Sequence, residues 1–115
     1  MTELKQIQEI LKQYERHGWI LRRVLLSAPT AENLTVETFG NIEIIKADFD
    51  ALWFSRAALN GGETWEIRTI APAPFALVEI FTDDDEEEVR EEIRREMETQ
   101  IANKASKNVE QKHGH

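Results

Sequence analysis

Asp48 and Asp50 stand two residues apart, a spacing that puts two carboxylates on one face of an extended strand. Such a pair could hold a divalent cation or divide into a general acid and a general base. An arginine among Arg22, Arg23 and Arg56 would complete a small hydrolase or ligand-binding site. The simpler reading of Asp48-Phe49-Asp50 is a turn between two strands, where Asp is an ordinary turn-former. His17 could act as a base or a ligand, because imidazole titrates near neutrality. It also falls at the expected last turn of a helix, where a cation suits the dipole. His113 and His115 lie in a polar tail and fall short of the three or four fixed ligands of a metal site. The run from Asp83 to Glu88 lacks the glycine and alternating spacing of a calcium loop and reads as a solvated helix start. Ser27 and Ser55 lie in no Gly-x-Ser-x-Gly pattern, and Gly61-Gly62 stands alone instead of in a phosphate loop. The chain has no Cys, which excludes thiol catalysis, disulfides and Cys-based zinc sites. No catalytic, cofactor-binding or metal-binding residue is assigned from these patterns.

The elements that would position these residues follow from periodicity. Residues 2–17 predict an amphipathic helix, with Leu4, Ile7, Leu11 and Tyr14 on one stripe and Gly18 ending it. Trp19 to Ser27 predicts an interior strand covered on both sides, with Arg22 and Arg23 on opposite faces. Residues 30–47 allow two readings. One is a helix from Thr30 to Phe39 capped by Gly40; the other is a hairpin of strands 34–39 and 42–47 around Gly40-Asn41. Residues 42–47 are a strand in both. Three antiparallel strands follow at 51–57, 63–70 and 75–82, turning at Asn60-Gly61-Gly62 and at Ala71-Pro72-Ala73-Pro74. From Asp83 a long acidic helix is expected, with the thin stripe Val89, Ile93, Met97 and Ile101. Residues 103–115 are polar and patternless, which predicts a disordered tail after a single domain over 1–102. The expected fold class is α+β: a mostly antiparallel sheet of four to six strands with an N-terminal and a long C-terminal helix.

The formal net charge of −8 is concentrated in residues 83–101, where ten acids face Arg90, Arg94 and Arg95. No basic stripe is present to neutralise phosphates, which argues against nucleic-acid and anionic-membrane partners. No apolar run approaches the ~20 residues of a membrane span, and the first residues do not read as a secretory signal. A cytoplasmic protein is expected.

If Ile70 pairs with Phe75 across the second turn, Ile67 faces Val78 and Trp65 faces Ile80, forming an apolar core face with Trp53. The opposite face then carries Glu66, Arg68, Phe75, Leu77, Glu79 and Phe81. Its mixture of charge and large apolar groups suggests half-coverage in the monomer and completion by a protein partner or a second copy. The stretches Gly18-Trp19-Ile20-Leu21-Arg22-Arg23-Val24-Leu25-Leu26-Ser27 and Asp50-Ala51-Leu52-Trp53-Phe54-Ser55-Arg56 resemble those of small uncharacterised bacterial proteins. The resemblance implies no activity and no functional residues. The expected role is therefore a protein-binding or adaptor domain without catalytic activity. A hydrolase or ligand-binding domain, and a chaperone for a secreted partner, are the alternatives.

Overall fold

In the computed structural model, residues 2–32, 34, 39–58, 61–70 and 75–113 are described. Helix α1 spans Thr2–Arg16 and strand β1 Ile20–Leu26. A short helix α2, Ala28–Glu32, leads towards β2, Glu43–Lys46. Then come β3, Ala51–Ala57, β4, Glu63–Thr69, β5, Ala76–Phe81, and the long helix α3, Glu87–His113. The five strands form one sheet in the order β2-β1-β3-β4-β5. The class is α+β, but the sheet is mixed, because β2 runs parallel to β1. A parallel neighbour needs a crossover connection, so β1 and β2 are not joined by a tight turn. The described residues of this stretch form a helix through Glu32 and a turn at Phe39-Gly40-Asn41. Residues 33 and 35–38 lie outside the described residues.

The sheet is covered by a helix on each side. Ile7 and Ile10 of α1 pack with Val24, Leu26, Leu52 and Phe54. Met97 and Ile101 of α3 pack with Leu25, Trp53, Trp65, Ile67 and Phe81. Leu52 and Trp53 alternate along β3, so these clusters lie on opposite faces. The stretch Ala51–Ser55 is buried throughout, as a central strand between two layers requires.

Helix α1 ends in a Schellman motif. Gly18 (φ 85°) donates to the Glu15 carbonyl at 3.1 Å, and Trp19 donates to the Tyr14 carbonyl at 3.0 Å. The Tyr14 and Trp19 rings then meet edge to face at 5.9 Å, giving the apolar contact that accompanies this cap. Gly62 is required for a different reason: a Cβ there would come within 2.1 Å of the Phe81 carbonyl oxygen.

Four expectations are corrected. A bulge between Leu21 and Arg23 breaks the alternation of β1, so Arg22 and Arg23 do not simply take opposite faces. Arg22 donates to Ser55 Oγ (2.7 Å), while Arg23 lies opposite Trp53 in the register. The acidic helix begins at Glu87, not Asp83, because Asp85 forms a turn: its carboxylate accepts from the Thr82 amide at 2.8 Å. The expected tail beyond 102 continues as helix to His113; its Ala, Lys, Gln and Glu residues have good helix propensity.

The fourth correction is the register of β5. Thr69, not Ile70, meets Phe75: the Thr69 amide donates to the Phe75 carbonyl (3.1 Å), and Thr69 Oγ1 accepts from the Phe75 amide (3.1 Å). Ile70 leaves this ladder and donates to the Asp50 carbonyl at 3.0 Å. Ile67 therefore faces Leu77, Trp65 faces Glu79, and Glu66 faces Val78. A one-residue slip turns every side chain of the strand to the other face.

Candidate interaction face

The register separates the six residues expected to form one partner-binding face. Leu77, Glu79 and Phe81 share the α3 side with Trp65 and Ile67, and Phe75 joins the same core cluster. Glu66 and Arg68 remain on the α1 side, opposite Val78 and Ala76. The apolar residues of β5 on that side are Val78 and Ile80, which are 53% and 62% exposed. Their neighbours Leu77 and Phe81 pack into the core beneath α3.

Helix α1 does not reach this far. Its last apolar residue towards β4 is Tyr14, whose ring stacks on Phe54 at 3.9 Å and whose hydroxyl donates to Glu66. Burial, reinforced by the hydrogen bond and charge of Glu66, pushes the phenol well above its ordinary value. The Arg68 guanidinium lies 5.8 Å from the Tyr14 ring centroid. Beside this pair opens a cleft of about 330 Å³ lined by Gln13, Tyr14, Arg16, His17, Trp19 and Glu66. Arg56 borders it, 4.4 Å over the Trp19 ring and hydrogen-bonded to the His17 carbonyl at 3.3 Å. Sequence patterns missed Tyr14 and Trp19 as parts of a surface because each also serves the helix cap and core.

The edge of β5 is the second feature of this face. Among the described residues β5 pairs only with β4. The bond between Thr69 and Phe75 makes that a hydrogen-bonded pair, so Leu77 and Glu79 also turn their backbone groups towards β4. Ala76, Val78 and Ile80 therefore point their N–H and C=O groups outward. The residues with free backbone groups are the same ones whose side chains form the exposed row.

The α3 side is closed by an ion network. Arg94 is only 2% exposed. Its Nη1 donates to Glu87 (2.8 Å) and Glu91 (2.7 Å), and its guanidinium lies 4.0 Å from the Trp65 ring centroid. Arg94 Nε is buried without a hydrogen-bond partner among the described residues. Arg23 makes two bonds to Glu91, at 2.9 and 3.2 Å. The hydrogen bond from Arg94 holds Glu87 below the usual carboxylate range. Burial works against ionisation of Glu91, but hydrogen bonds from Arg23 and Arg94 carry its carboxyl below the usual range. Burial opposes the charge on Arg94 as well, and the bonds to Glu87 and Glu91 override it. Glu98 accepts from Trp53 Nε1 at 2.7 Å. These contacts fasten α3 to the sheet.

The pair Asp48 and Asp50 does not converge with the arginines. Asp50 accepts from the Ser27 amide (2.8 Å), Ser27 Oγ (3.0 Å) and Thr30 Oγ1 (2.7 Å), joining the end of β1 to α2. Asp48 is exposed on the bend before it. Among the described residues, neither carboxylate bonds to Arg22, Arg23 or Arg56. Nor do three His, Asp or Glu side chains there cluster as a metal site needs. No helix of the described residues is long and apolar enough to cross a membrane. No family model, no curated protein and no solved structure matches this chain.

Proposed function

We propose that this is a cytoplasmic protein-binding domain without catalytic activity, and that it binds through strand β5. The observation carrying this reading is the coincidence on one strand of exposed apolar side chains, Val78 and Ile80, with unpaired outward backbone groups. Adding a strand to a sheet edge uses both: main-chain bonds supply affinity and alternate side chains supply specificity. An edge that must stay free usually carries lysine, proline or a bulge, and the outward row of Ala76, Val78 and Ile80 has none of these. The lack of cysteine suits a reducing compartment.

Site-specific photocrosslinking in the cells that make the protein tests this reading. A photoreactive residue at Ile80 should give protein adducts, and one at exposed Glu92 on α3 should not. The Ile80 adducts should disappear when Val78 is replaced by Glu. Equal adducts from both positions, or none from Ile80, would contradict the assignment.

A further inference from the structure

Resting on β5 as the docking strand, we propose that its occupant is a second copy of this chain, joined β5 to β5 in an antiparallel register centred on Val78. Three features of the strand select this partner and register. First, Ala76, Val78 and Ile80 are the residues with outward backbone groups. A two-fold axis at Val78 pairs Val78 with its mate and Ala76 with the partner's Ile80. All three outward N–H and C=O groups of each copy are then used. An axis at Leu77 leaves Ile80 without a mate inside the strand.

Second, the pairing suits the side chains. On the α1 side, each Ile80 meets the small Ala76 of the other copy, and the two Val78 side chains meet at the centre. On the α3 side, Glu79 faces Leu77 of the other copy instead of a second Glu79. An axis at Glu79 would set the two carboxylates directly opposite, which is unfavourable.

Third, the other flank of the edge also carries apolar residues. At about 100° per residue, Val89, Ile93 and Lys104 share one flank of α3. Lys104 lies over Phe75 at 5.5 Å, which turns that flank towards the start of β5. Val89 is exposed there and Ile93 is half-buried. The acids Glu87 and Glu91 point to the other flank, where Arg94 and Arg23 neutralise them. The two helices of a dimer would therefore approach through flanks that carry Val89, Ile93 and Lys104 with Glu96 as the nearest acid. A junction of two six-residue strands is small beside the ~1,200–2,000 Å² of a standard stable interface, so a weak dimer with a dissociation constant on the order of 100 μM is expected.

Amide hydrogen exchange and sedimentation of the full chain, from about 10 μM to about 1 mM, test the proposal. Protection of the Ala76, Val78 and Ile80 amides should rise in step with the dimer fraction. Leu77 and Glu79, already bonded to β4, should be protected throughout. Ile80→Glu should raise the dissociation constant about 100-fold or more by placing a carboxylate in the apolar row. Val78→Pro removes an outward donor without taking a bond from the β4 ladder, so a folded but monomeric protein is expected. Circular dichroism checks that each variant folds. A chain that stays monomeric throughout, or a dimer whose three outward amides exchange freely, overturns the proposal. If the chain stays monomeric but Ile80 crosslinks to a different protein, the self-pairing is wrong and the docking strand stands. If Ile80 yields no adduct, the docking strand falls as well.

Discussion

On the α3 side of the sheet, Trp53, Trp65, Ile67 and Phe81 lie buried beneath Met97, Ile101 and Arg94. On the α1 side, Leu52 and Phe54 are equally well buried beneath Ile7 and Ile10. Farther across that side, Val78 and Ile80 remain exposed. Both sides carry one long helix, so helix number does not explain the difference. A helix ~10 Å wide covers about two strands spaced ~4.8 Å apart. The α3 side extends this reach with large side chains: Arg23 bonds to Glu91, Trp53 to Glu98, and Arg94 spreads over Trp65. The α1 side has Tyr14 reaching Glu66 and little beyond it. One side of the sheet is thus closed across its width, and the far end of the other leaves Val78 and Ile80 exposed.

This contrast can be broken most severely at Phe81. Phe81→Ala should cost about 3–5 kcal/mol in denaturant unfolding, the usual range for emptying a buried aromatic site. A loss below ~1 kcal/mol would show that α3 does not seal this side.

Arg94→Ala should cost somewhat less, about 2–4 kcal/mol, because Glu91 keeps Arg23 while the Trp65 ring loses its cover. The variant should also alter the acid response. Glu87 and Glu91 are held below the usual carboxylate range. Their contribution is full above the unfolded value near ~4.3 and is lost as pH falls through the lower folded values. Wild-type stability should therefore fall below about pH 4, and the fall should be shallower without Arg94. Identical pH profiles would separate the network from acid stability.

Tyr14→Phe keeps the stack on Phe54, loses the bond to Glu66, and should cost about 1 kcal/mol. Tyr14 is the sole tyrosine, so its ionisation can be followed by absorbance. Its raised folded value means that its contribution is present below ~10 and is lost as pH rises through the folded value. The native protein should show no phenolate signal at about pH 10–11. A normal titration there would mean that Tyr14 is not held against Glu66.

Much of this architecture was legible in the residues. The 3.6 period of α1, the turn glycines and the large apolar residues of β3 located the main elements. The register was not legible, because Ile70 and Thr69 are both plausible partners for Phe75. Thr69 prevails by bonding the Phe75 amide through its side chain, while the Ile70 backbone closes on Asp50. That single slip moved Leu77, Glu79 and Phe81 from the expected partner face to the core side. The buried role of Arg94 was hidden for another reason. Apolar periodicity followed Val89, Ile93, Met97 and Ile101, whereas the deeply buried residues are Arg94, Met97 and Ile101. Its place seven residues before Ile101 was the available signal. The parallel pairing of β2 with β1 left no short-range mark, since it joins strands separated by a long connection.

Adjacent residues of one strand provide the most direct test. Ile80→Ala and Phe81→Ala should be unfolded side by side at about 1 μM, far below the dissociation constant expected for so small an interface. The structure predicts that Ile80→Ala stays within ~0.5 kcal/mol of wild type while Phe81→Ala loses several kcal/mol. Comparable losses at both positions would contradict an open face at β5, and a larger loss at Ile80 would mean that the strand presents its other side to the core.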